Sequence, residues 1–294
     1  MTSMTTSPAE APADLGDRVL RAITDDDNFR VITARTTDTV RDAIAAQKAT
    51  GATRRHFANL LTGAVLIRET MSPGHRVQGI LQGRAGSLVA DSHPDGVTRG
   101  LVQFAEGEDE LLLGPGSLLQ MMRIMAHGRV HRSVVEPPAG GGVAEALMTY
   151  MQESEQIVSM IATGVTFDGD DVVEAGGYVV QLLPGVGRGP LMIMTERLEG
   201  LPAIDDLLIQ LKGSAEALLR ELLFGMDHCQ LDTSPVRFGC RCSREAVVAS
   251  LATLERDELS EMLAEDGVLE LDCDYCGTIY RIGRTHLEGL LESS

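Results

Sequence analysis

Residues 238–245 read FGCRCSRE and residues 273–282 read CDYCGTIYRI. Cys240 and Cys242 form a C-x-C pair; after thirty intervening residues Cys273 and Cys276 form a C-x-x-C pair, followed by Gly277. A C-x-x-C turn lets two sulfurs point at one ion, and a glycine just after it lets the backbone reverse. A C-x-C pair does the same from an extended or bent segment. Four thiolates suit tetrahedral Zn2+, with Zn–S near ~2.3 Å. Soft sulfur also suits iron, but zinc is the commoner occupant of an isolated four-cysteine site. Cys240, Cys242, Cys273 and Cys276 are therefore the candidate ligands of one zinc ion.

The residues around these pairs explain why a metal is needed. Residues 240–294 carry five arginines against twelve acidic residues, a net of −7. A segment of this size and polarity buries too little apolar surface to be stable alone. A four-thiolate site supplies an apparent ~10–16 kcal/mol in small zinc modules. Helical patterns run over 243–253 and 255–265, with Gly267 as a C-cap. Val268 to Ile282 reads as a hairpin bent around the second cysteine pair. A last helix starts near Thr285, which forms a capping box with Glu288. Two uses of the site stay open on spacing alone. One is a static staple or interaction module. The other is a redox switch, since zinc keeps sulfurs as thiolates, the form oxidants attack. Cysteines two or three positions apart also close short disulfides if the backbone bends. Pairing Cys240 with Cys242 and Cys273 with Cys276 would then expel the metal.

Upstream, residues 227–238 hold turn formers and little periodicity, which marks a boundary. Residues 191–225 are largely helical. Leu207, Leu208, Leu211, Leu218, Leu219, Leu222 and Leu223 recur at three- and four-residue spacing, and Gly213-Ser214 divides the run in two. Before that, FRVITAR (29–35) alternates like a strand, and 38–49 and 52–70 read as helices. Short apolar stretches broken by Gly, Pro and Asp over 75–136 read mostly as antiparallel sheet. A helix over 143–153 and strands over 155–167 and 176–185 complete the core. Residues 1–16 are Thr/Ser/Ala/Pro-rich and read as a flexible tail. The fold class is α+β: a core over 17–189 with an antiparallel sheet and packed helices, a helical linker over 190–236, and a small C-terminal zinc-binding module over 237–294.

Composition narrows the function. The 294 residues carry a net charge of −18 and 3% aromatic residues, with no Trp. Such a surface repels phosphate backbones and anionic lipid and offers little base stacking, so neither nucleic acid nor membrane is expected as a partner. The N-terminus has no basic and apolar signal pattern, and no apolar run reaches membrane-span length, so the expected compartment is the cytoplasm. No G-x-S-x-G, P-loop or dinucleotide fingerprint is present. The seven histidines show no catalytic spacing, so no enzyme activity is expected. Cys229 lies outside the four-cysteine pattern.

FGCRCSRE (238–245), AEDG (264–267) and CDYCGTIYRI (273–282) resemble the zinc module of the 33 kDa chaperonin family of redox-regulated heat-shock proteins. SEQI (154–157) and GGYVVQLLPG (176–185) resemble its core segments, and order and spacing match from about residue 28 to 290. The resemblance implies an ATP-independent holdase, inactive while reduced and zinc-bound. It implies that oxidation forms two local disulfides among Cys240, Cys242, Cys273 and Cys276 and releases zinc. The module and linker then unfold to expose apolar surface for unfolding client proteins, and the active form is a homodimer. The N-terminal tail, Cys229 and the strongly apolar stretch at 200–225 depart from the usual pattern, and the last bears on the activation threshold.

Overall fold

The computed structural model describes residues 16–252, 254 and 268–283. Strands β1 (Arg18–Thr24) and β2 (Phe29–Arg35) open the chain, followed by helices α1 (Thr37–Gln47) and α2 (Gly51–Thr70). A meander follows: β3 (Arg76–Gly83), β4 (Gly86–Ser92), β5 (Val97–Phe104), β6 (Leu118–Ile124) and β7 (Val130–Val135). Helix α3 (Val143–Glu153) leads to the hairpin β8 (Ser159–Asp168) and β9 (Asp171–Leu182). The mixed α+β class expected from the sequence is the class observed.

Two sheets sandwich α2. One has the order β10-β1-β2-β9-β8, the other β11-β5-β4-β3-β6-β7. The α2 sequence is apolar nearly all round, and Phe57, Leu60, Leu61, Val65, Leu66 and Ile67 are all fully buried. It touches β2, β8 and β9 of the first sheet and β3, β4 and β5 of the second, so beyond its exposed first turns almost no face is left for water. The first sheet is also covered on its far side. Alternate residues divide between the two layers: Ile32 and Val179 face α2, whereas Val31 and Val180 face a second cluster with Leu207, Leu218, Leu219 and Leu222. That double burial explains the unbroken apolar run Tyr178-Val179-Val180 in β9. A Cβ on Gly177 would lie 2.3 Å from Ala162 O, so the hairpin closes only without a side chain there.

The second cluster is built by three helices, α4 (Arg188–Gly200), α5 (Ile204–Gln210) and α6 (Ala215–Leu222). Two were expected. The additional break falls at Leu201-Pro202-Ala203, where proline cannot continue the ladder. The expected break at Gly213-Ser214 is present: Gly213 has φ +64 and the Ser214 hydroxyl accepts from Ala217 N–H at 3.1 Å, capping α6.

Residues 227–238 depart from the sequence reading. They form strands β10 (His228–Pro235) and β11 (Arg237–Phe238). β10 pairs antiparallel with β1, and β11 pairs parallel with β5, so this one segment supplies an outer strand to both core sheets. Six of the eight β10 side chains are exposed, which is why no alternation of apolar and polar residues marks it. β1 also carried no expectation; Arg18 and Arg21 interrupt its pattern although Val19, Leu20 and Ala22 are buried. Last come α7 (Arg244–Leu251) and the hairpin β12 (Val268–Asp272) and β13 (Ile279–Gly283). The expected tail, the helix over 255–265 with its Gly267 cap, and the helix from Thr285 lie outside the described residues, apart from Gly16 at the tail's end.

Candidate metal centre

Two short segments carry the cysteines. Cys240 and Cys242 sit in the loop between β11 and α7, whose Ser243 caps the helix by accepting from Ala246 N–H at 3.1 Å. Cys273 and Cys276 sit in the turn between β12 and β13. There Cys273 N–H donates to Thr278 O (2.9 Å), and the N–H groups of Cys276 and Gly277 donate to Cys273 O (3.2 and 2.7 Å). Gly277 makes the reversal at φ +67, a left-handed conformation a side chain would strain.

The four Sγ atoms lie within 4.8 Å of one another, and among the described residues they are the one such group of three or more potential ligands. Two contacts run between the segments: Cys240 to Cys273 at 3.6 Å and Cys242 to Cys276 at 3.4 Å. A tetrahedron with metal–sulfur bonds near ~2.3 Å has sulfur–sulfur edges of about 3.8 Å. Donor type, donor number and spacing therefore fit a four-thiolate centre. Cys229 is exposed and outside the group, and the His228 ring faces Met226 O at 2.9 Å.

The sulfurs are unequal. Burial pushes Cys273 up to about 12 and raises Cys242. Burial also opposes ionisation of Cys276, but donors from Thr278 and the thiols of Cys242 and Cys273 outweigh it and bring it down to about 7. Four crowded thiols cannot all ionise without a cation among them, which is the electrostatic work a bound metal does. Tyr280 Oη donates to Cys242 Sγ at 3.0 Å, and Thr278 Oγ1 lies 3.2 Å from Cys276 Sγ.

Among the described residues, the surrounding apolar core is small. Leu251 and Ile282 are its two fully buried members among the described residues, with Val247, Leu269, Leu271 and Tyr280 packed around them. The core domain supplies further support. Arg99 of β5 donates from Nη1 to Cys240 Sγ at 3.3 Å and stacks its guanidinium 3.9 Å from the Tyr275 ring centroid. Gln47 of α1 donates to Asp274 O (2.7 Å) and Tyr275 O (3.1 Å), and Arg241 pairs with Asp95 at 2.7 Å. Behind Arg99, the fully buried Asp91 receives Arg99 Nε (3.1 Å) and a bidentate pair from Arg76 (2.5 and 2.8 Å). Burial works against the Asp91 carboxylate, yet the hydrogen bonds from His93 and Arg76 and the charge of Arg76 hold it well below the usual range. Sequence reasoning missed this layer. Thr278 and Tyr280 stand within the quoted cysteine stretch, whereas Arg99 and Gln47 carry no local signal at all.

The fold and the site define an α+β protein whose C-terminal hairpin and helix carry four clustered cysteines able to hold a metal ion. The chain belongs to the Hsp33 family, whose model, described as Hsp33 protein, matches residues 17–283. A 33 kDa chaperonin of Desulforamulus reducens is 34% identical over 94% of this chain and 97% of its own length. One from Thermus thermophilus is 31% identical over 93% and 86%. The crystal structure of the 33 kDa chaperonin of Thermotoga maritima shares the fold, with a TM-score of 0.81 at 24% identity, covering 94% of this chain and 98% of that one.

Proposed function

We propose that this protein is a redox-regulated, ATP-independent chaperone of the holdase type, acting in the cytoplasm on unfolding client proteins. Family membership supports the chaperone class. The observation that supports the switch is the convergence of four sulfurs within 4.8 Å of one another in a module whose described residues form only a small apolar core. In this reading Cys240, Cys242, Cys273 and Cys276 hold one zinc ion in the reduced protein. Bound zinc would supply the charge that keeps all four sulfurs ionised and would lend its binding energy to folding.

In the proposed activation, two thiolates form one S–S bond and give two electrons to hypochlorous acid, which leaves as chloride and hydroxide. A second equivalent oxidises the other two. The family resemblance implies the local pairs Cys240–Cys242 and Cys273–Cys276. Converting thiolates to neutral disulfides removes all four donors from the ion. The module over 237–294 then loses its tie to Arg99, and the linker over 190–236 loses its C-terminal anchor. Leaving the sheet, α5 and α6 uncover Leu20, Phe29, Val31 and Val180, which are buried beneath them. Client binding is thus surface exposure without turnover, and the oxidised form is proposed to be a homodimer.

The test is to titrate the reduced, zinc-loaded protein with hypochlorite, following zinc by a chelating dye and client protection by light scattering from a thermally unfolding luciferase. Zinc release and suppression of aggregation are expected at one oxidant dose. Equal protection by the reduced form, or a module that keeps its zinc under oxidant, would leave a static zinc-bearing interaction module as the better description.

A further inference from the structure

The segment that leads into the cysteine centre is also the lid of a sheet edge. β10 runs along β1 in seven paired positions from Arg18↔Pro235 to Thr24↔His228, with one irregularity between Arg21 and Ala22. It is held almost wholly by its backbone. Six of its eight side chains are exposed, and Leu231 is 55% exposed. Side-chain anchoring comes chiefly from Arg21, whose Nη2 donates to Asp232 (2.5 Å) and Ser234 (3.0 Å). The strand beneath is different: Val19, Leu20, Ala22 and Thr24 of β1 are all buried. β1 is thus tied into the core independently of β10 and would stay in place if β10 left.

We propose that the β1 edge vacated by β10 is a docking site for an extended segment of an unfolding client, which adds to the five-stranded sheet as a new outer strand. The proposal rests on the linker opening described above and deepens it by naming the surface and the form of the partner. Strand addition draws affinity from main-chain hydrogen bonds, which every polypeptide except at proline can offer. An edge whose own resident strand points its side chains at water makes few demands on sequence, as a binder of many unfolded chains requires. Tethered β10 occupies the edge at high effective concentration and keeps clients out until its C-terminal anchor is lost. The opposite edge of the sheet, β8, is not covered by another strand among the described residues; side chains cap it instead, with Asp205 of α5 accepting from Val165 N–H and Arg55 donating to Val165 O, both at 3.0 Å. β11 covers only two positions of β5, too short a ladder to match β10.

Amide hydrogen exchange across 18–24 tests this in three states: reduced and zinc-loaded, hypochlorite-treated, and hypochlorite-treated with thermally unfolding luciferase bound. Exchange is expected to be slow in the first, at least tenfold faster in the second, and slow again in the third, while 190–226 stays fast in the complex. Exchange on β1 that does not change with oxidation, that recovers without client through self-association, or that stays fast in the complex overturns the proposal. A lock variant separates this from failure of the switch itself. Ile23 lies opposite Cys229, so Ile23→Cys places two thiols at a cross-strand position within disulfide reach. With the 23–229 disulfide formed beforehand, oxidant is expected to release zinc and to speed exchange over 190–226 as in the wild type, while client protection falls at least fivefold. Undiminished protection by the locked protein overturns the docking site and leaves the switch standing. Retention of zinc by the wild type under oxidant overturns both.

Discussion

Arg99, on a core strand, donates to Cys240 Sγ at 3.3 Å across 141 residues of sequence. The contact places a fixed positive charge beside a centre that would be net negative with four thiolates around a divalent ion. Outer-shell partners of this kind typically change metal affinity 10–100-fold when removed. Arg99→Met is therefore expected to speed zinc loss to a chelating dye at least tenfold, with Arg99→Lys in between. Identical loss rates in the three proteins would show that the contact does no electrostatic work.

Cys273→Ser removes one of the four donors and is expected to weaken zinc binding and loosen the module without any oxidant. Limited proteolysis of the reduced protein should cut within 190–294 and spare the core over 17–185. Uniform resistance would contradict the claim that the centre holds the module together.

Leu222 is fully buried where α6 meets the outer face of the first sheet. Leu222→Ala leaves a cavity costing about 2–5 kcal/mol. The loss is expected to be local: hydrogen exchange over 190–226 rises in the reduced, zinc-loaded protein, while that of α2 stays slow. Such a variant should also protect clients at lower temperature after oxidation. If exchange in α2 and 190–226 rises together, the helices do not open as a separate unit.

Asp91 is buried with Arg76 and Arg99 on it, and its carboxyl is held below the usual range. Because its folded-state value is depressed, its contribution is complete above the unfolded value near ~4 and is lost as pH falls below that. Asp91→Asn strands two arginines and is expected to cost about 3 kcal/mol at pH 7 by denaturant unfolding. The gap between variant and wild type should narrow as pH falls from about 4 to 2. A constant gap over that range would mean the loss is not electrostatic.

Much of the core was legible from periodicity. The strand at 29–35 and the helix at 143–153 have the ends the sequence suggested, because each buries one or both faces in a regular pattern. The hairpin at 268–282 was legible from the cysteine turn it surrounds. Residues 228–235 were not legible, since a strand held by its backbone has no side-chain pattern to read. Neither was the third linker helix: apolar spacing on both sides of Pro202 hid a break that the proline itself signals.

The amino-acid order alone marked the four cysteines that converge, at spacings that let two short turns bring their sulfurs together. It also determined the amphipathic helices, because burial of a helix face is written in residues three and four apart. Only the tertiary structure decided what those parts rest on. That Arg99 reaches Cys240, that Gln47 holds the Asp274-Tyr275 turn, and that one segment caps both sheets all depend on chain segments brought together from far apart. Such contacts leave no local trace, since an arginine or a backbone N–H is the same group in sequence whatever partner the fold places against it.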